Sequence, residues 1–184
     1  MMKKEITLAG FGGQGILSMG LFLAYAAMSE GKKVVYAPAY GAEMRGGTAN
    51  CTVTISDKYI SSPVAAFPEV AAVMNHPSLD KFEPLVKTNG ILLVNDSLVH
   101  RAPSRTDLNV FMIPTQEIAD KIGFSRGTNM VMLGALLEAT NIINTDNIYD
   151  YLLKTFKGKY LDKMPWNMAA IKAGMKYINT KITP

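Results

Sequence analysis

A single cysteine, Cys51, stands among 184 residues, so no internal disulfide can staple the fold. The same scarcity argues against an iron–sulfur cluster held by this chain alone, because such clusters draw on several thiolates. A reducing cytoplasm is the compartment this cysteine usage points to. Histidine is nearly as rare. His76 and His100 stand far apart without metal-site spacing, which leaves them surface or loop roles. Charged residues make up only 18% of the chain and the net charge is +4, with no dense basic run and no basic motif interleaved with aromatics. Nucleic-acid binding is therefore not expected. An acidic cofactor such as a diphosphate, or an acidic partner chain, accounts for the mild positive balance. So sparingly charged a surface suits a protein that buries part of its outside against other chains.

No apolar run reaches the ~20 residues that cross a bilayer. Lys3 and Lys4 precede an apolar stretch from Ile16 to Met28 in the manner of a signal peptide, and Ala24-Tyr25-Ala26 resembles a cleavage site. Glu5 and a glycine-rich turn interrupt that pattern, and a cut there would destroy the first βα unit. The expectation is a cytosolic protein with no membrane association. Internal repeats, low-complexity segments and linkers are also lacking, so residues 1–184 read as one domain.

Hydrophobic residues, at 48%, are enough for one substantial core. Lys4 to Ala9 reads as a strand, and Ile16 to Glu30 as a helix apolar on nearly all sides and stopped by Gly31. Lys33 to Ala37 reads as a second strand, ended by Pro38. From Thr48 to Ser56 the sequence alternates, with Ala49, Cys51, Val53 and Ile55 on one face, the signature of a half-buried strand that is antiparallel or at a sheet edge. Further strands are expected at Val70 to Met74, Gly90 to Asn95 and Val110 to Ile113. Helices are expected at Ser78 to Val86, capped by Ser78, and at Gln116 to Ile122, Thr128 to Ala139, Asp146 to Phe156 and Pro165 to Ile178. The scattered methionines read as core or interface filler, and Trp166 as a packing anchor for the last helix. Strands alternating with helices indicate an α/β fold: a Rossmann-like three-layer αβα arrangement whose mainly parallel sheet carries one antiparallel or edge strand.

Gly10-Phe11-Gly12-Gly13-Gln14-Gly15 satisfies G-x-G-x-x-G between a strand and a helix. Glycines there permit a tight turn, and the helix N-terminus offers N–H donors to an anion. The same glycines also serve plain close packing of strand, helix and a neighbouring chain. A nicotinamide dinucleotide site would add an acidic residue at the end of the second strand. Here Val35-Tyr36-Ala37-Pro38 carries none. A second segment, Tyr40 to Asn50, holds Glu43 and Arg45 between glycines at the carboxyl end of that strand, where open α/β sheets bind ligands. Arg45 offers a planar fork for phosphate or carboxylate, and Gly46-Gly47 permits close backbone approach. The alternative is that Glu43 and Arg45 pair with each other or across a subunit contact.

Gly-Phe-Gly-Gly-Gln-Gly-Ile at Gly10 to Ile16, with Tyr-Gly-x-Glu-Met-Arg-Gly-Gly-Thr at Tyr40 to Thr48, resembles the gamma subunit of 2-oxoacid:ferredoxin oxidoreductases. The likeness continues through Ser61-Ser62-Pro63 and the segment from Arg126 to Gly134, and covers essentially the whole chain. It implies the fold of the third domain of pyruvate:ferredoxin oxidoreductase. It also implies an enzyme complex that decarboxylates a 2-oxoacid, transfers the acyl group to coenzyme A and passes electrons to ferredoxin. Thiamine diphosphate, magnesium and the iron–sulfur clusters would sit on companion alpha, beta and delta subunits, with none bound by this chain alone. Coenzyme A is the co-substrate, and a homodimer is an available state for the isolated chain. The resemblance places Gly12, Gly13, Gln14 and Gly15 in one loop facing the active region and Tyr40, Glu43, Arg45, Gly46 and Gly47 in another. Arg126 and Asn129, beside a helix start capped by Ser125 or Thr128, form a third candidate for anion contact. None of these residues has the partner a nucleophile or general base needs, so binding and docking are expected rather than covalent catalysis. The loop pattern looks most like 2-oxoglutarate or 2-oxoisovalerate enzymes, 2-oxoglutarate first, with pyruvate and indolepyruvate open. The rival readings are a stand-alone NAD(P)-dependent oxidoreductase and a purely structural assembly subunit.

Overall fold

Four strands form the parallel part of the sheet: β1 (Lys3–Phe11), β4 (Val70–Val73), β5 (Ile91–Asn95) and, at one edge, β6 (Asn109–Ile113). They run parallel, as their near-continuous apolar runs require. Two more strands extend the sheet beyond β1. β3 (Thr48–Ser56) pairs antiparallel with β1 from Phe11↔Thr48 to Lys3↔Ser56, and β2 (Lys33–Tyr40) pairs antiparallel with β3. The strand order is β2-β3-β1-β4-β5-β6. These elements belong to a computed structural model that describes residues 2–40, 48–61, 66–144, 148, 152 and 162–182.

The alternating strand β3 is antiparallel, one of the two arrangements its pattern allowed, and lies inside the sheet; β2 is the edge on that side. Pro38 does not stop β2, which continues to Tyr40. An edge strand is where a ladder tolerates proline, and Pro38 is exposed.

Helices α1 (Ile16–Ser29), α3 (Thr115–Lys121), α4 (Thr128–Thr140) and α5 (Met164–Ile182) share one core with Ile6, Leu8, Cys51, Val53, Ile55 and Leu93 of the sheet. The opposite face packs Ala9, Ala71, Val73, Leu92 and Val94 against Leu79 and Phe82 of α2 (His76–Phe82), with Val86 and Val99. This is a three-layer α/β arrangement. α4 is buried continuously from Met130 to Leu137 because the sheet lies on one side and α5 on the other. Their backbones touch: a Cβ on Gly134 would collide with the Ile171 carbonyl, and one on Gly174 with that of Val131. The cap of α2 is Asn75 rather than Ser78; its Oδ1 accepts the Ser78 N–H at 2.9 Å. Of the helix expected over Asp146 to Phe156, only Ile148 and Leu152 are among the described residues, and both are helical and buried.

The crossover from β5 to β6, residues 96–108, contains no helix. Its anchor is Glu83, which is 2% exposed. The Glu83 carboxylate accepts the Ser104 N–H and hydroxyl, the Arg105 N–H at 2.8 Å and the Arg101 guanidinium at 3.2 Å. Burial pushes this carboxyl up, but those donors outweigh it and hold it below the ordinary glutamate value.

Candidate functional site: a cleft at the carboxyl rim

The carboxyl ends of β1, β4, β5 and β6 form one rim, and the register brings to it the glycine turn and the strand ends that flank the β2–β3 connection. Gly10 pairs with Ala49 and Ala49 with Tyr40, so the glycine turn and the β2–β3 connection leave the sheet from one row. Glu43, Arg45, Gly46 and Gly47 lie outside the described residues, and Tyr40 is placed only by its strand position.

The glycine turn closes as its composition requires. Gly13 and Gly15 adopt φ of +97° and +74°, left-handed values that favour glycine. Gln14 folds inward: its Oε1 accepts the Phe11 N–H at 2.6 Å and the Asn75 side-chain amide at 3.3 Å, and its Nε2 donates to the Met74 carbonyl at 3.4 Å. Gly10 makes room for this fold, since a Cβ there would stand 2.5 Å from Gln14 Oε1.

A cleft of about 490 Å³ opens beside the turn. Gly13, Gln14 and Gly15 line one wall, Asn95 and Leu98 follow β5, Gln116 comes from α3, and Arg126, Thr128 and Asn129 stand at the start of α4. Of the residues proposed from sequence, Gly13, Gln14, Gly15, Arg126 and Asn129 are thus brought together, while Gly12 shares the turn without lining the cleft. Two helix N-termini open here, those of α1 and α4. Neither has a side-chain cap; the flanking positions are Gly15 and Gly127 rather than the expected Ser125 or Thr128. Each carries roughly half a positive charge in its unpaired N–H groups. Asn129 Nδ2 donates to the Gly15 carbonyl at 3.4 Å and ties the two ends together. Arg126 is exposed and makes no hydrogen bond or ion pair with another described residue. Among the described residues no carboxylate lines the cleft. The arrangement favours an anion such as a phosphate.

Asn95, Leu98, Gln116 and Thr128 were missed from sequence. The available signal for Asn95 was its place at the end of the most apolar strand, on the rim where α/β sheets bind ligands.

The geometry disfavours a conventional dinucleotide site. That site needs its ribose-binding acid on the strand beside β1. Here β3 occupies that place and enters with Thr48-Ala49-Asn50, while β2 is displaced to about 10 Å from β1, two strand spacings. Among the described residues no group of three or more His, Cys, Asp or Glu could hold a metal ion. Cys51 is fully buried beside Gly20 and the Ile16 carbonyl, and burial pushes its thiol up to about 12, which makes it a packing residue. His76 approaches Asp80 at 3.6 Å and His100 is exposed; neither lines the cleft. No helix among the described residues is long and apolar enough to cross a membrane.

A mixed six-stranded sheet with helices on both faces and a cleft at its carboxyl rim defines the class, a three-layer α/β domain. Residues 5–177 match the family described as pyruvate ferredoxin/flavodoxin oxidoreductase. The chain is 41% identical over 173 residues to ketoisovalerate oxidoreductase subunit VorA of Methanothermobacter marburgensis, covering 92% of this chain and 35% of that protein. It is 36% identical over 156 residues to 2-oxoglutarate synthase subunit KorC of Methanocaldococcus jannaschii, covering 83% of each. Among solved structures, the gamma subunit of a keto/oxoacid ferredoxin oxidoreductase from Geobacter sulfurreducens superposes with a TM-score of 0.83 at 25% identity, over 96% of this chain and 99% of that one. The 2-oxoglutarate:ferredoxin oxidoreductase of Magnetococcus marinus, solved with 2-oxoglutarate, coenzyme A and succinyl-CoA, gives a TM-score of 0.87 at 26% identity, over 98% of this chain and 32% of that one. The chain spans about a third of the length of VorA and of the Magnetococcus chain. It belongs to the pyruvate ferredoxin/flavodoxin oxidoreductase family.

Proposed function

We propose that this chain serves as the gamma subunit of a 2-oxoacid:ferredoxin oxidoreductase, with 2-oxoglutarate the first-choice substrate, in a cytoplasmic complex with alpha, beta and delta companions. The observation that carries this reading is the family match across residues 5–177, together with the full-length likeness to the Geobacter gamma subunit. Relatives bear both ketoisovalerate and 2-oxoglutarate names, so the choice of oxoacid rests on the loop pattern around Tyr40 to Thr48.

The chain's own part is binding. The N–H groups at Gly13 to Gly15 and at the start of α4, with Arg126 and Asn129, suit the phosphates of coenzyme A. Tyr40 ends β2 at the same rim, and the family resemblance of the loop assigns Glu43, Arg45, Gly46 and Gly47 to the same contact region. Thiamine diphosphate with magnesium, held by the companion chains, supplies the decarboxylation chemistry, and iron–sulfur clusters there carry the electrons. What the gamma chain adds is orientation of the acyl acceptor and a positive rim to attract it.

Affinity purification of the native complex through this chain, followed by assay of several oxoacids with coenzyme A and ferredoxin, tests the reading. Copurification of thiamine-dependent chains and a highest kcat/KM for 2-oxoglutarate support it. Preference for a branched-chain oxoacid or pyruvate corrects the substrate, and recovery of the chain without such companions refutes the assignment.

A further inference from the structure

We propose that Asn95 is a positioning residue that couples the start of α3 to the glycine turn and thereby sets the affinity of the rim cleft for its anionic ligand. This rests on the reading of that cleft as the coenzyme A phosphate contact.

Asn95 is the last residue of β5 and lies at the cleft, yet it is only 1% exposed. Its polar atoms are engaged inside the protein. Oδ1 accepts the Thr115 hydroxyl at 2.7 Å and the Ser97 N–H at 3.2 Å, and Nδ2 donates to the Met74 carbonyl at 3.1 Å. So occupied a side chain has little left to offer a ligand. What it does is share an acceptor. The Met74 carbonyl also receives Gln14 Nε2, and Gln14 in turn holds the Phe11 N–H and the Asn75 amide through its Oε1. A carbonyl oxygen has two lone pairs, and these two amides account for both.

The result is a continuous chain from Thr115, at the first turn of α3, through Asn95 and the Met74 carbonyl to Gln14, and so to the backbone that presents Gly13 and Gly15. Thr115 and Asn95 are buried, so breaking the chain at either leaves a buried polar group without its partner. Asn75 anchors the same chain to α2 through its cap on Ser78. The wall of the cleft that holds the N–H donors is therefore positioned by groups that never reach the ligand. A wall displaced by a fraction of an ångström misplaces donors whose hydrogen bonds depend steeply on geometry.

The test uses the reconstituted complex with coenzyme A as the varied substrate. Thr115→Val removes the hydroxyl donor at nearly constant shape and adds no charge; Thr115→Ser keeps the donor. Thr115→Val should raise the KM for coenzyme A about three- to tenfold, the effect of one buried hydrogen bond, with kcat unchanged. Thr115→Ser should restore it. Asn95→Asp, which loses the donor to Met74 and adds charge beside the cleft, should raise the KM further. If that buried charge prevents folding, the Thr115 pair decides alone. An unchanged KM in an intact Thr115→Val complex overturns the inference, as does a loss confined to kcat or one that Thr115→Ser fails to rescue. Arg126→Gln separates the two levels: an unchanged KM there removes the reading of the cleft and this inference with it. A raised KM at Arg126 beside an unchanged one at Thr115 removes the inference only.

Discussion

Asn129 reaches from the first turn of α4 to the carbonyl of Gly15, 3.4 Å away, and so joins the start of one helix to the start of another. The contact is tight, since a Cβ on Gly15 would fall on the Asn129 amide. Asn129→Ala unties the two helix starts while removing only a partly exposed side chain. The KM for coenzyme A in the complex should rise about three- to tenfold, with the melting temperature nearly unchanged. Steady-state kinetics with coenzyme A varied checks this.

Among the described residues, Arg126 is the one cation lining the cleft. Its replacement by Gln should raise the KM for coenzyme A about tenfold or more, the worth of a charge-assisted hydrogen bond. It should also flatten the salt dependence of that KM, because the screened charge is gone. A titration of KM against ionic strength for both forms shows the difference.

Glu83 offers a prediction for acid stability. Its folded-state carboxyl lies below the ordinary glutamate value because the Ser104 and Arg105 groups and the Arg101 guanidinium outweigh the effect of burial. A depressed carboxyl contributes stability above its unfolded value, about 4.3, and loses that contribution as pH falls through the folded value. Glu83→Gln should cost about 2 kcal/mol at neutral pH, where charge-assisted bonds are lost. The difference from the parent should shrink as the pH drops below about 4. Urea unfolding at neutral and acid pH measures both.

Gly134 makes a case for backbone contact. Alanine in mid-helix is favoured over glycine by about 1 kcal/mol, so Gly134→Ala would stabilise an isolated helix. Here its Cβ would enter the Ile171 carbonyl. Overpacking of this kind costs about 1–3 kcal/mol, and a lowered melting temperature is expected.

Much of this was legible in sequence, for local reasons. The strict alternation of β3 and the apolar run of β5 are periodicities that backbone geometry enforces. The glycine turn announced itself because left-handed backbone at Gly13 and Gly15 favours that residue, and Arg126 and Asn129 because they flank a helix start. Other features were not local. The insertion of β3 between β1 and β2 depends on pairing between segments far apart in the chain, and nothing in the alternation names the partner. Pro38 read as a strand end until β2 proved to be the edge. Asn95 read as the last residue of a strand and Thr115 drew no reading at all; only the tertiary fold joins them through a 2.7 Å bond. The β5–β6 crossover carries no periodicity, since its order comes from Glu83 on another segment.

On the proposed function, this chain contributes to coenzyme A use in a multi-chain oxoacid oxidoreductase and does no redox chemistry alone. The direct measurement adds the purified chain back to companion subunits prepared without it, then follows ferredoxin reduction and acyl-CoA formation with 2-oxoglutarate. Activity that appears only with the chain present, and saturates with coenzyme A, is the predicted result. Equal turnover without the chain, or oxidation of a substrate by the chain alone with a nicotinamide coenzyme, would contradict it.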